Sequence, residues 1–220
     1  NYNKICDLDL TTFNSANVKY TTLKRSILIK FLKEKLFSNS IIFRKKINGV
    51  EQINGKINIH FIDGSSDKVD YLVASDGVFS HTKSVIEKKF FNPSYYGAVA
   101  IRTQIATQDI SNLNSNNISL IMGPDTHLVL YPINGQKEIN LVCIIRQKSE
   151  NSDSIKMILE NKILKEIKNL VNLFKRDLKS WPIYASSKPT KSIYKNVLYI
   201  GDAFYTFPPT MAQGASQSIE

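Results

Sequence analysis

The sequence predicts a mixed α/β (α+β) chain in which strand-turn-helix units flank an antiparallel sheet domain. Two apolar runs, one ending in Asp76-Gly77 and one in Gly201-Asp202, each lead through a turn towards a helix. Between them, Tyr95 to Arg146 alternates strand-like runs with Asn- and Gly-rich turns. With 220 residues, 42% of them hydrophobic and 22% charged, the chain can bury one sizeable core or two small ones. The spans 1–90 and 181–220 are expected to form one domain, with 91–180 inserted as a second.

From Thr21 to Leu36, Leu23, Ile27, Leu28, Phe31, Leu32 and Leu36 recur at helical spacing, which predicts an amphipathic helix. Ile41 to Ile47, Val50 to Ile53 and Lys56 to Ile62 read as a small antiparallel meander, with Asn54-Gly55 and Asp63-Gly64 as its turns. Lys68 to Ser75 is a short apolar strand, followed by a helix to about Phe90. The sheet domain contributes strands at Gly97 to Ala106, Ile118 to Met122, His127 to Ile133 and Ile139 to Arg146. A Lys/Leu/Ile-rich helical stretch from Ser152 to Leu178 is expected to end at Trp181-Pro182, with Trp181 packed in the core. Val197 to Ile200 is then a buried strand, and a further helix begins near Gly214.

The formal charge of +10 raises a nucleic-acid reading, but the basic residues are scattered and Lys outnumbers Arg 24 to 5. Base-edge recognition favours the Arg fork, and single-strand binders interleave aromatics with a basic groove; neither pattern is concentrated here. No nucleic-acid partner is expected, although a positive field would serve an anionic substrate or a peripheral contact with an acidic membrane. No run reaches the ~20 apolar residues of a membrane span and Asn1 to Leu10 does not resemble a signal peptide, so the expected location is cytoplasmic. Cys6 and Cys143 are far apart and read as packing residues. His60, His81 and His127 lack metal-ligand spacing, so no metal is expected. The serines have no elbow motif or matched His and Asp, and no catalytic acid or base is identified.

Tyr199-Ile200-Gly201-Asp202-Ala203 places a carboxylate at the carboxyl end of an apolar strand, where open α/β sheets hold ligands and where an acid can accept bonds from sugar or ribityl hydroxyls. Pro208-Pro209-Thr210-Met211-Ala212-Gln213-Gly214-Ala215 then opens a helix, whose free N–H groups favour negative charge. The plain alternative is a surface turn with a capping Asp. Asp70 to Ser80 repeats the pattern, with Asp76-Gly77 at the strand end and Ser80 placed to cap the next helix. Alone it is a commonplace turn.

Together, in this order and separated by an antiparallel domain, these segments resemble the class A FAD-dependent monooxygenases, the family of salicylate and para-hydroxybenzoate hydroxylases. Asp76-Gly77 with Ser80 is similar to the family's Asp-Gly motif, Gly201-Asp202-Ala203 to its Gly-Asp motif, and Lys24 to Leu28 to its Arg-x-x-Leu helix. Tyr96-Gly97, Leu130-Tyr131-Pro132 and Gln213-Gly214-Ala215 extend the likeness. The resemblance implies a Rossmann-like FAD-binding domain with an inserted substrate domain. Its cofactor-binding residues would be Arg25, Asp76, Gly77, Gly201, Asp202, Pro209, Gln213, Gly214 and Ala215. It also implies NAD(P)H as reductant, and hydroxylation of a small aromatic substrate by dioxygen through a flavin C4a-hydroperoxide.

Three departures stand out. Lys83 occupies the place of the motif's usual Arg and, three positions after Ser80, is expected to face partly towards solvent. Phe204-Tyr205 replaces the usual Ala-His. No GxGxxG precedes Arg25, so the chain is expected to be an internal piece lacking the first Rossmann unit of ~30 residues. A flavin-dependent halogenase or prenyl reductase, and a basic binding module without redox chemistry, remain the alternatives.

Overall fold

The computed structural model of the chain describes residues 4–9, 11, 22–38, 40–110, 116–150, 179–209 and 214–219. It divides into two compact units, one of residues 1–37 and 97–181 and the other of 38–96 and 182–220.

Strands β5 (Ser94–Ala106), β6 (Ser119–Gly123), β7 (Thr126–Ile133), β8 (Glu138–Arg146) and β9 (Ser180–Ala185) follow the sheet order β6-β7-β8-β5-β9, and the first unit holds their residues from Gly97 to Trp181. Tight antiparallel pairing joins β7 to β8 from Thr126↔Ile145 to Ile133↔Glu138, and β5 to β8 from Ala98↔Arg146 to Ala106↔Glu138. Alternation along these strands puts Val99, Ile101, Leu128, Leu130, Ile139, Leu141, Cys143 and Ile145 in one buried cluster. Each large aliphatic side chain fully removed from water there contributes roughly 1.5–3 kcal/mol. Burial also pushes the Cys143 thiol up to about 12, as an apolar core disfavours the thiolate. Cys6, by contrast, is exposed and packs in no core.

The first helix, α1 (Arg25–Glu34), groups with this sheet, whereas the sequence reading placed 1–90 with the strand-turn-helix units. Its amino end is tied to the sheet unit, because Thr22 Oγ1 donates to the Pro132 carbonyl (2.5 Å) and Lys24 pairs with Glu138 at 2.6 Å. The observed helix is shorter than the Thr21 to Leu36 stripe that predicted it, and no residue of α1 is buried.

The second unit holds β1 (Ile47–Ile53), β2 (Lys56–Phe61) and β3 (Ser66–Val69) as an antiparallel meander, and β4 (Leu72–Ala74) with β10 (Val197–Tyr199) as a parallel pair. Asn54 and Gly55 both take positive φ, 49° and 76°, as a two-residue hairpin of mirror-image turn type requires. Helix α2 (His81–Glu87) buries Ile86 completely against a cluster containing Val50, Ile57, Phe61, Ala74, Val197 and Tyr199. At its last turn Glu87 accepts from the Tyr199 hydroxyl at 2.6 Å and from the Ile193 N–H at 3.2 Å.

Several boundaries depart from expectation. Residues 41–46 form no strand; Arg44 is left-handed (φ 63°), which interrupts extension, and Ile42 and Phe43 are exposed. The run from Lys68 to Ser75 is divided between two sheets, β3 pairing with β2 and β4 with β10. Helix α2 stops at Glu87 because Lys88 turns left-handed (φ 49°) and its N–H closes onto the Ser84 carbonyl. Trp181 and Pro182 lie inside β9, and Trp181 is 47% exposed instead of packed in a core. The helical stretch expected over 152–178 lies outside the described residues.

Candidate functional site

The parallel pair fixes the site. Leu72, Val73 and Ala74 stand opposite Val197, Leu198 and Tyr199, and the Ile200 N–H continues the ladder to the Ala74 carbonyl at 3.0 Å. Both strands therefore end at the same edge, bringing the Asp76-Gly77 and Gly201-Asp202 turns side by side where open α/β sheets present ligands.

In the first turn Gly77 takes φ 85°, a conformation that a side chain would strain. The Asp76 carboxylate accepts from the Ser80 hydroxyl and from the Thr82 N–H at 2.9 Å, while Ser80 Oγ accepts from the Lys83 N–H at 3.0 Å. Ser80 is thus the N-cap that the sequence suggested. Burial pushes the Asp76 carboxyl up, but the Ser80 and Thr82 hydrogen bonds outweigh it and leave the group below its ordinary value.

In the second turn Gly201 takes φ 54°, and its carbonyl accepts from the N–H groups of Phe204 and Tyr205, both at 3.0 Å. A Cβ on Gly201 would lie 3.1 Å from Ser218 Oγ, so glycine permits the close approach of helix α3 (Gly214–Ile219). The segment 186–190 is laced to the same turn: Ser186 N–H donates to the Thr206 carbonyl at 3.0 Å and Thr206 N–H to Ser186 Oγ at 3.1 Å. A cavity of about 450 Å³ opens between these pieces, lined by Lys188, Asp202, Phe204, Tyr205 and Phe207 among others. Tyr205 and Phe207 meet edge to face at 4.7 Å. Burial pushes the Asp202 carboxyl up, and among the described residues no hydrogen bond reaches it. It is an acceptor with open positions, facing a hollow walled by aromatic rings.

Lys83 contradicts its sequence expectation. It is 5% exposed, its Nζ donates to the Ala203 carbonyl at 2.9 Å, and the ammonium stands 4.9 Å from the centre of the Phe91 ring. Position N3 of α2 turns this side chain inwards across the turns. Burial lowers its pKa, offset in part by the charges of Asp76 and Glu87.

The structure thus brings Asp76, Gly77, Gly201 and Asp202 to one strand edge, with Gly214 on the cavity wall and Ala215 beside it in α3. Asp76 is not on the cavity wall, because its carboxylate is taken up by its own helix. Pro209 is half-buried a few residues beyond the turn, and Gln213 lies outside the described residues. Arg25 is the exposed first residue of α1, in the other unit. Sequence reasoning missed Lys188 and the lacing by Ser186, whose partners lie about twenty positions along the chain.

No family model matches the chain. It is 24% identical to an FAD-dependent monooxygenase of a Phoma species over 221 residues, covering 90% of this chain and 49% of that protein. It is 25% identical to a salicylate hydroxylase of Sarocladium schorii over 222 residues, covering 90% of this chain and 45% of that protein. A solved salicylate hydroxylase substrate complex superposes with a TM-score of 0.76 at 19% identity, over 89% of this chain and 54% of that one. The chain spans about half the length of the curated relatives it matches. The expected likeness to FAD-dependent monooxygenases is met, and the chain takes the fold of the corresponding part of an FAD-binding hydroxylase.

Proposed function

We propose that this chain supplies the flavin-ribityl and ring-facing part of an FAD-dependent monooxygenase that hydroxylates a small aromatic substrate. The observation that carries the reading is the register-paired strand edge, where Gly201-Asp202 presents an unpartnered carboxylate to the cavity. The residues present fit FAD. A carboxylate with open acceptor positions suits a polyol chain, and a hollow of about 450 Å³ walled by Phe204, Tyr205 and Phe207 suits part of a flat ring system. When bound, FAD reduced by NAD(P)H would supply the oxygen chemistry, with dioxygen as co-substrate.

The chain's own residues bind and orient. Asp202 would accept hydrogen bonds from ribityl hydroxyls, and Gly201 keeps the turn tight enough for α3 to close one side. Phe204, Tyr205 and Phe207 would exclude water from the ring. Asp76, bound to Ser80 and Thr82, holds the neighbouring turn in shape rather than contacting the cavity. Gly214 and Ala215 would approach the flavin from the start of α3.

The test uses purified full-length protein. Acid-released cofactor should chromatograph as FAD, and a panel of phenols and aromatic acids should contain compounds that stimulate NAD(P)H oxidation and gain one oxygen atom from labelled dioxygen. FAD-dependent NAD(P)H oxidation that never labels a product would leave a flavin reductase. Protein without flavin would refute the proposal.

A further inference from the structure

We propose that Lys83 is a positioning residue for the Gly-Asp turn: through its bond to the Ala203 carbonyl, its ammonium ties helix α2 to the peptide after Asp202 and fixes the carboxylate that faces the cavity. The flavin role of that carboxylate rests on the function proposed above; the tie itself does not.

Among the described residues Lys83 is the one charged side chain that is buried. Burying an ammonium is costly unless its protons are bonded and its charge is met. Here both occur: Ala203 accepts at 2.9 Å, Phe91 offers its ring face, and Asp76 and Glu87 supply negative charge. The acceptor is informative. Ala203 is fully buried, adjoins Asp202, and lies 120 positions from Lys83, so the bond joins two turns, far apart in sequence, that lie beyond the end of the β4–β10 pair. That pair is three residues long, too short to fix what lies beyond its end. A continuous path results, in which Asp76 holds Ser80 and the Thr82 N–H, Ser80 caps the Lys83 N–H, and Lys83 holds the peptide beside Asp202. The alternative is a packing role, with the alkyl stem filling space and the ammonium incidental.

Lys83→Met keeps the stem and removes the ammonium, which separates the two. In full-length protein without flavin, hydrogen exchange at the Phe204 and Tyr205 amides, both bonded to the Gly201 carbonyl, should quicken by about tenfold or more. The Ile200 amide, bonded to Ala74 within the strand ladder, should be unaffected, and Lys83→Arg should restore protection. With FAD, Lys83→Met should weaken binding by about tenfold in the wild-type background but by less than about twofold in an Asp202→Ala background, because a residue that acts through Asp202 has nothing left to position. Equal losses in both backgrounds, or unchanged exchange at Phe204 and Tyr205 in folded Lys83→Met, would overturn the proposal. If wild type binds no FAD, the flavin reading fails while the exchange experiment still decides the tie. Should Lys83→Met not fold, an NMR coupling across the hydrogen bond between Lys83 Nζ and the Ala203 carbonyl in wild type is the check, and its absence from resolved resonances refutes the bond.

Discussion

At the residue scale, Asp76 and Asp202 occupy matching places at the ends of paired parallel strands, yet their carboxyls shift in opposite directions. Partial desolvation raises Asp76, but bonds from Ser80 and Thr82 outweigh it and depress the group below its unfolded value. Its contribution to stability is therefore present above that unfolded value and lost as pH falls through the lower folded one. Asp202 is raised by burial, so the native state binds its proton more tightly than the unfolded chain does. Its cost is present in full above the folded value and relieved as pH falls through it. Calorimetry of flavin-free protein across a pH series should show Asp202→Asn melting above wild type at neutral pH, with the difference vanishing in acid, and Asp76→Asn melting below it. A destabilised Asp202→Asn at neutral pH would mean that the carboxylate has a partner in the free protein. The sequence singled out both acids, since each ends an apolar strand beside glycine. It did not reveal their opposite environments, nor the burial of Lys83, whose partner lies 120 positions away.

At the scale of elements, helix α2 hangs on one serine. Ser80 Oγ accepts from the Lys83 N–H while its hydroxyl donates to Asp76, so one side chain caps the helix and shapes the turn. Ser80→Ala should lower stability by about 0.5–2 kcal/mol in denaturant titration, the usual range for a lost N-cap, and Ser80→Thr should recover most of it. An unchanged midpoint for Ser80→Ala would show that the Asp76 bonds hold the helix alone. This cap was legible because N-cap chemistry is local in sequence. So were β6, β7 and β8, which begin and end within a residue of expectation, because clear turn signals bound each strand-like run. The run from Lys68 to Ser75 was not divisible by pattern, since apolar residues serve either sheet equally and only the pairing of β4 with β10 separates them. Residues 41–46 carry strand-like residue types, and the left-handed Arg44 that breaks them leaves no mark in composition.

At the scale of the whole molecule, the chain makes each unit from two segments: β4 and α2 belong with β10 and α3, with the antiparallel sheet between them in sequence. That return was readable because the second Gly-Asp turn repeats the chemistry of the first after an interval of different character. The grouping of α1 with the sheet unit was not, since an amphipathic stripe does not say which surface it meets. The charge of +10 is spread along the sequence and gives no footprint for a polyanion. What the molecule offers instead is one strand edge with a free carboxylate and an aromatic-walled hollow. FAD titration of the full-length protein, followed by quenching of flavin fluorescence, tests this most directly for wild type, Asp202→Ala and Asp76→Ala. The account predicts saturable one-to-one binding by wild type, a loss of about one to two decades for Asp202→Ala as a charge-assisted contact disappears, and a smaller loss for Asp76→Ala. Absence of saturable binding, or an affinity that Asp202→Ala leaves unchanged, would contradict it.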